Sequence, residues 1–154
     1  MGTEYAQFRE WDYDNSLEWF MLDYPNHSQM QEYVRELNSF YLSRSELWDR
    51  DFTPHGFSWI LPDECEKNTV VYRRINNKDE SIIVVINFSG ADQSFRISLC
   101  KSRHLVQLFA TDAQINNAPI TVNSDNGYYY ADVTLPRFSG VVFKEKSLIR
   151  KIKI

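Results

Sequence analysis

Glu10, Asp12 and Asp14 occupy alternate positions near the start of the chain, so an extended backbone turns all three carboxylates to one side. Two carboxyl groups in such an arrangement are the minimum equipment for acid–base or nucleophilic chemistry at an acetal carbon. One of them needs a raised pKa, which an apolar pocket supplies. The surrounding Trp11-Asp12-Tyr13-Asp14-Asn15-Ser16 reads as a hydrophilic loop without such a pocket. No catalytic residue is therefore assigned. His27, His55 and His104 are scattered, with no i, i+4 pair and no neighbouring cysteine, so no metal site is expected. A Gly-rich phosphate loop and a G-x-S-x-G elbow are both missing, and no cofactor is expected.

Rings are the other chemical resource. Aromatic residues make up 15% of the chain, and rings serve either as core or as platforms for flat ligands such as sugars. Most are assigned to core, Trp48 and Trp59 among them. Tyr128-Tyr129-Tyr130 is different, because alternate side chains of a strand point to opposite faces. Tyr128 and Tyr130 are therefore a candidate aromatic platform.

The elements that must carry these residues change character along the chain. Residues 1–25 are aromatic and acidic with weak periodicity, a loop with one helical turn at Ser16–Phe20. Ser28–Ser43 has helical spacing: Met30, Tyr33, Val34, Leu37, Phe40 and Tyr41 share one face. Ser28 and Gln31 fit a capping box. A short turn capped by Ser45 follows. From Phe52 the period becomes two. Strands are expected at Phe57–Leu61, Thr69–Ile75, Ser81–Phe88, Phe95–Leu99, Leu105–Phe109, Tyr128–Leu135 and Gly140–Phe143, with Thr111–Gly127 polar and turn-rich. Ile82–Ile86 lacks a polar position and suits a central strand covered on both faces. Closely spaced strands without helices between them predict a mainly β fold, an antiparallel β-sandwich, over 51–154. Residues 1–50 form a separate, partly helical part.

Net charge is −4, which gives no overall basic field for nucleic acid or anionic lipid. The tail after Phe143 is basic and reads as a solvated end. Cys65 and Cys100 make neither a disulfide framework nor a zinc motif and fit free thiols in a reducing cytoplasm. No apolar run approaches the ~20 residues of a membrane helix.

Five short pieces carry a resemblance. Met1-Gly2-Thr3-Glu4-Tyr5-Ala6-Gln7-Phe8-Arg9-Glu10-Trp11 is similar to M-G-x-E-[FY]-[AG]-Q-x-x-E-W of the bacterial glycogen-type 1,4-α-glucan branching enzymes. Ser16-Leu17-Glu18-Trp19 resembles their S-L-[DE]-W. Tyr33-Val34-Arg35-Glu36-Leu37-Asn38 with Tyr41 resembles the V-R-x-L-N-x-x-Y helix. Leu47-Trp48, Asp51-Phe52 and Gly56–Ile60 resemble L-W-x-x-D-F-x-x-x-G-F-x-W-[IL], and Val85–Phe88 resembles V-x-N-F. Beyond Phe88 only the strand pattern persists.

This resemblance implies an α-amylase-superfamily enzyme with an N-terminal β-domain, a (β/α)8 barrel and a C-terminal β-domain. Residues 1–19 would be the loop after the eighth barrel strand, Ser28–Ser43 the last barrel helix, and 51–154 the C-terminal β-sandwich. The implied reaction moves an α-1,4 glucan chain onto a 6-hydroxyl by retaining transfer. Its carboxylates stand on earlier barrel strands, so the present chain is expected to be non-catalytic alone. Glu4, Gln7, Arg9, Glu10 and Trp11 become candidate rim residues of a glucan site, since barrel loops at that face hold substrate. Implied partners are an α-glucan (glycogen or maltooligosaccharide) and the rest of the barrel. The alternatives are a stand-alone carbohydrate-binding β-domain and a piece of another α-amylase relative. Without barrel strands, the apolar face of helix 28–43 is expected to pair with a second copy or leave the N-terminal third partly disordered.

Overall fold

A computed structural model describes residues 1–99, 103–112, 115, 120 and 122–147. Cys100 and the end of the basic tail, from residue 148, lie outside the described residues. The chain divides into two compact units, Met1–Arg44 and Ser45–Ile154, with the division six residues before the expected 50/51.

The first unit holds 3-10 turns at Thr3–Tyr5 and Trp19–Asp23, then helix α1, Pro25–Ser43. The second turn lies three residues later than the expected Ser16–Phe20. Helix α1 starts at Pro25, not at Ser28. Proline suits the first helical position, where its fixed φ is helical and its missing N–H is not needed. The capping box is consequently not formed: Ser28 Oγ instead donates to Pro25 O at 3.1 Å. Tyr5 and Met21 are buried in this unit, whereas α1 buries none of its side chains. Met30, Leu37 and Tyr41 of the predicted apolar face are exposed, and Tyr33, Val34 and Phe40 are half-buried.

The second unit is an antiparallel β-sandwich. Its strands are β1 Phe57–Leu61, β2 Thr69–Ile75, β3 Ser81–Asn87, β4 Gln93–Leu99, β5 Arg103–Ala110, β6 Asn123–Asp125, β7 Tyr128–Leu135 and β8 Ser139–Ser147. They form a five-stranded sheet, β1-β2-β3-β8-β5, and a three-stranded sheet, β4-β7-β6. Val71, Ile83, Val85, Leu105, Val141 and Phe143 of the first sheet meet Phe95, Ile97, Leu99, Ala131, Val133 and Leu135 of the second. Each large apolar side chain removed from water contributes about 1.5–3 kcal/mol. Of the apolar run Ile82–Ile86, Ile82, Ile83, Val84 and Val85 are buried, as two-sided cover requires, and Ile86 is half-buried. Strand β6 was not expected, since its three residues are all exposed. It pairs with β7 through Asn126 and Gly127, whose φ values of +49° and +83° suit a two-residue hairpin.

Hydrogen bonds explain why the second unit begins at Ser45. Asn76 Nδ2 donates to Ser45 Oγ at 2.9 Å, and Asn77 N donates to Asp49 Oδ2 at 2.9 Å. Arg50 returns bonds to Asn77 Oδ1 at 3.1 Å and Asp79 Oδ1 at 3.0 Å. Arg74 bonds Leu47 O and pairs with Asp51. Residues 45–51 are thus fastened to the β2–β3 hairpin. Gly56 sits so close to this segment that a Cβ would lie 2.3 Å from Arg50 O, which accounts for the glycine before Phe57. Trp48 and Trp59, expected in the core, are both exposed. The reason for Trp59 is that β1 is an edge strand. The Trp59 ring meets Phe57 at 5.0 Å and Tyr72 at 6.2 Å on one face of that edge. Lys144, counted in the solvated tail, is instead an ion-pair partner of Glu46.

Candidate functional site

In the N-terminal segment, Gly2 has φ +76°, and a Cβ there would lie 2.7 Å from Gln7 Oε1. A glycine is therefore required for the chain to turn back on Gln7. Gln7 N donates to Gly2 O at 3.0 Å. The Gln7 side chain accepts at Oε1 from Tyr5 Oη (2.7 Å) and Glu18 N (3.0 Å), and donates from Nε2 to Arg9 O at 3.1 Å. One N–H of the amide remains for a ligand. Tyr5, fully buried, packs against the tilted Trp19 ring, centroids 5.5 Å apart, and its carbonyl lies 2.8 Å from His27 Nδ1. Burial pushes the Tyr5 phenol above its ordinary pKa, with the Glu4 and Glu18 charges adding to the shift.

This brace leaves the following residues pointing outward. Gln7, Arg9, Glu10 and Trp11 line one open depression of about 460 Å3 with Met1, Thr3, Ala6 and Phe8. Glu4 is half-buried and does not line it. Arg9 is fixed through its backbone, which donates to Glu18 Oε2 at 3.2 Å, while its guanidinium faces Asp12 at 3.7 Å. Trp11 is 72% exposed with Tyr13 beside it, ring centroids 6.3 Å apart. Such a surface offers an indole face, a guanidinium and a carboxylate to a hydroxyl-rich ligand.

Acid catalysis finds no support at the neighbouring carboxylates. Asp12 accepts bonds from Asn15 Nδ2 at 2.8 Å and Asp14 N at 3.0 Å. These bonds, the one from Asn15 foremost, hold its carboxyl below the usual range, the opposite of what a proton donor needs. Among the described residues no group of three or more His, Cys, Asp or Glu could hold a metal ion. His27 is engaged by Tyr5 and Phe8.

In the β unit, Tyr128 and Tyr130 lie on the outward face of the three-stranded sheet. Tyr128 is 79% exposed. Tyr130 is half-buried, because the Arg96 guanidinium stands over its ring at 4.0 Å. Arg96 is in turn held by Asp132 through bonds of 2.8 and 3.1 Å. Beside this pair is an open surface lined by Ser94, Phe95, Arg96, Asp132 and Thr134. Tyr128 is thus a free ring and Tyr130 a capped one. Sequence reasoning missed the cap, because Arg96 reaches Tyr130 only through the β4–β7 register.

Residues 59–146 match the family described as alpha amylase, C-terminal all-beta domain. The 1,4-alpha-glucan branching enzyme GlgB of Halothermothrix orenii is 34% identical over 157 residues, covering 94% of this chain and 25% of that protein. GlgB of Aliivibrio fischeri is 41% identical over 100 residues, 64% of this chain and 14% of that one. The chain spans about a quarter or less of the curated relatives it matches. Among solved structures, AmyP E221Q in complex with maltotriose aligns with TM-score 0.57 and 11% identity over 79% of this chain and 22% of that one. Trehalulose synthase MutB R284C aligns with TM-score 0.54 and 20% identity over 76% and 18%. At those identities the structures speak for the fold, which is the β-sandwich expected. Among the described residues no helix is long and apolar enough to cross a membrane. With more than half its length matched, the chain belongs to the α-amylase C-terminal all-β domain family.

Proposed function

We propose that this chain acts as the C-terminal part of a cytoplasmic 1,4-α-glucan branching enzyme, non-catalytic by itself. The observation that carries the reading is helix α1, a 19-residue helix with no buried side chain. An amphipathic helix of that length draws its stability from packing its apolar stripe. Met30, Leu37 and Tyr41, all exposed, therefore call for a partner surface, and the strands and helices of a (β/α)8 barrel supply one. The Halothermothrix orenii branching enzyme matches this chain over 94% of its length, a span that takes in the helix, which supports a barrel over a second copy of the chain.

In this reading the segment braced by Gln7 borders the glucan cleft. Trp11 stacks on a glucose ring while Arg9 and Glu10 bond its hydroxyls. Glu4 and Gln7 shape the rim more than they touch the sugar. Tyr128 offers a second aromatic contact, and Tyr130 contributes through the Arg96–Asp132 pair stacked on it. The fastening of residues 45–51 to the β2–β3 hairpin supports a boundary at 44/45 and a β unit that buttresses the barrel.

Docking tests the reading. The purified chain is mixed with a separately purified barrel segment of a branching enzyme and analysed by size-exclusion chromatography with light scattering. A stable one-to-one complex is expected. A homodimer of the chain that persists and excludes the barrel segment contradicts it.

A further inference from the structure

One end of the β-sandwich carries two exposed phenylalanines on a tightly bonded framework. Phe88 follows β3, and Phe138 lies in the turn between β7 and β8; they are 60% and 72% exposed. Both turns are tied to buried Asn87. Its Nδ2 donates to Ala91 O and Pro136 O, each at 2.9 Å, and to Leu135 O at 3.3 Å. Its Oδ1 accepts from Ser89 N at 2.9 Å and Ser89 Oγ at 2.7 Å. Phe88 N donates to Asn68 O at 2.9 Å, and Phe138 N donates to Ser89 O at 3.1 Å. The two rings therefore leave the backbone from one knot of hydrogen bonds.

Phe138 has φ +50°. An L-residue in the left-handed region crowds its Cβ against the backbone, and Gly, Asn or Asp stand there at less cost. Among the described non-glycine residues that share this conformation, Asn68, Asp79 and Asn126 follow the rule, and Ala6 departs from it with only a methyl side chain. Phe138 breaks it without the compensation of burial. A strained position filled by an exposed aromatic side chain points to a use outside the fold. A phenylalanine has only two side-chain torsions to fix, so its ring loses little entropy on stacking against the apolar face of a sugar. Asp92 and Arg137, both exposed, flank them and can bond hydroxyls.

We propose that Phe88 and Phe138 form an α-glucan-binding site on the β unit, separate from the residues around Trp11 and from Tyr128. Pyranose rings stack on the two phenyl groups, and no covalent step is involved. The ligand class rests on the branching-enzyme reading above. The site would hold a long glucan by a second point of attachment.

Affinity electrophoresis of the full chain in gels with and without glycogen, together with thermal unfolding, tests this. The wild-type chain should be retarded by glycogen. Phe138→Asn should weaken retardation at least fivefold while Tm stays level or rises by about 1–4 °C, since asparagine relieves the strain. Phe138→Tyr keeps a ring and should keep binding. The proposal is overturned if the wild-type chain migrates freely, if Phe138→Asn leaves retardation unchanged, or if that variant lowers Tm and so marks the ring as packing. It also fails if Phe138→Asn abolishes docking to the barrel segment and spares glycogen retention. Docking is read separately, so this site can fail while the branching-enzyme reading stands.

Discussion

Lys144 Nζ donates to Glu46 Oε1 at 2.9 Å, tying strand β8 to the first turn of the β unit across 98 residues of sequence. Glu46 is the more buried of the two, with 4% of its side chain exposed against 26% for Lys144. Glu80 lies on the other side of the ammonium at 3.9 Å. Withdrawing the cation from the buried carboxylate is costlier than neutralising that carboxylate, because Lys144 can still reach water and Glu80. Lys144→Met should cost about 1–3 kcal/mol, and Glu46→Gln less. Urea unfolding of both variants checks the order; an equal or reversed order contradicts the placement of the pair.

Asn87 should be the most sensitive polar position of the β unit. Alanine there removes the donor shared by three carbonyls and the acceptor for Ser89. A loss of about 2–4 kcal/mol is expected, with the β3–β4 and β7–β8 turns exchanging amide protons faster than the strands. Hydrogen exchange that rises uniformly across the sandwich is the opposing result.

Asp132 gives a pH signature. Its hydrogen bonds from Arg96 hold its carboxyl below the ordinary 3.8. A depressed folded pKa means that the stabilisation is complete above the unfolded value and disappears as pH falls through the folded one. Asp132→Asn should therefore be less stable than the wild-type chain near pH 6, and the gap should close as pH falls below the ordinary carboxylate range. The pair is exposed, so the effect is small and diminishes in salt. A gap that is unchanged at acid pH assigns the loss to something other than ionisation.

Helix α1 separates stability from assembly. Leu37 is exposed on its apolar face, and leucine and lysine have similar helix propensity. Leu37→Lys should leave the unfolding midpoint of the isolated chain within about 0.5 kcal/mol while abolishing complex formation with a barrel segment. Loss of helix content by circular dichroism in the isolated variant contradicts the exposed position of Leu37.

The strands of the β unit were legible because period two is written in Phe95, Ile97 and Leu99 and in Ala131, Val133 and Leu135, and all six are buried. Strand β6 was not, since three exposed polar residues carry no alternation; only the Asn126-Gly127 pair announced a turn. The helix body was visible in its spacing, but its start was misplaced because Ser28 and Gln31 mimic a capping box beside a proline that starts helices better. Trp48 and Trp59 show a deeper limit. For Trp59, a tryptophan in a strand pattern reads as core, and whether a layer exists to cover it depends on where the strand stands in the sheet; Trp48 lies just after the 3-10 turn Ser45–Leu47, outside any strand. At the candidate rim, Arg9, Glu10 and Trp11 were nominated by resemblance, and all three line one open depression. The bracing role of Gln7 was hidden, because it needs Gly2 and Ala6 in left-handed conformations that residue types alone do not reveal.

We propose above that this chain completes a glucan-branching enzyme without supplying its catalytic groups. A chimera tests it most directly: the Halothermothrix orenii branching enzyme with its matching C-terminal quarter replaced by this chain, incubated with amylose and read by the NMR signal of α-1,6 linkages. New branch points from the chimera, and none from the chain alone, are the predicted result. A folded chimera that forms no branches, or an isolated chain that forms them, contradicts it.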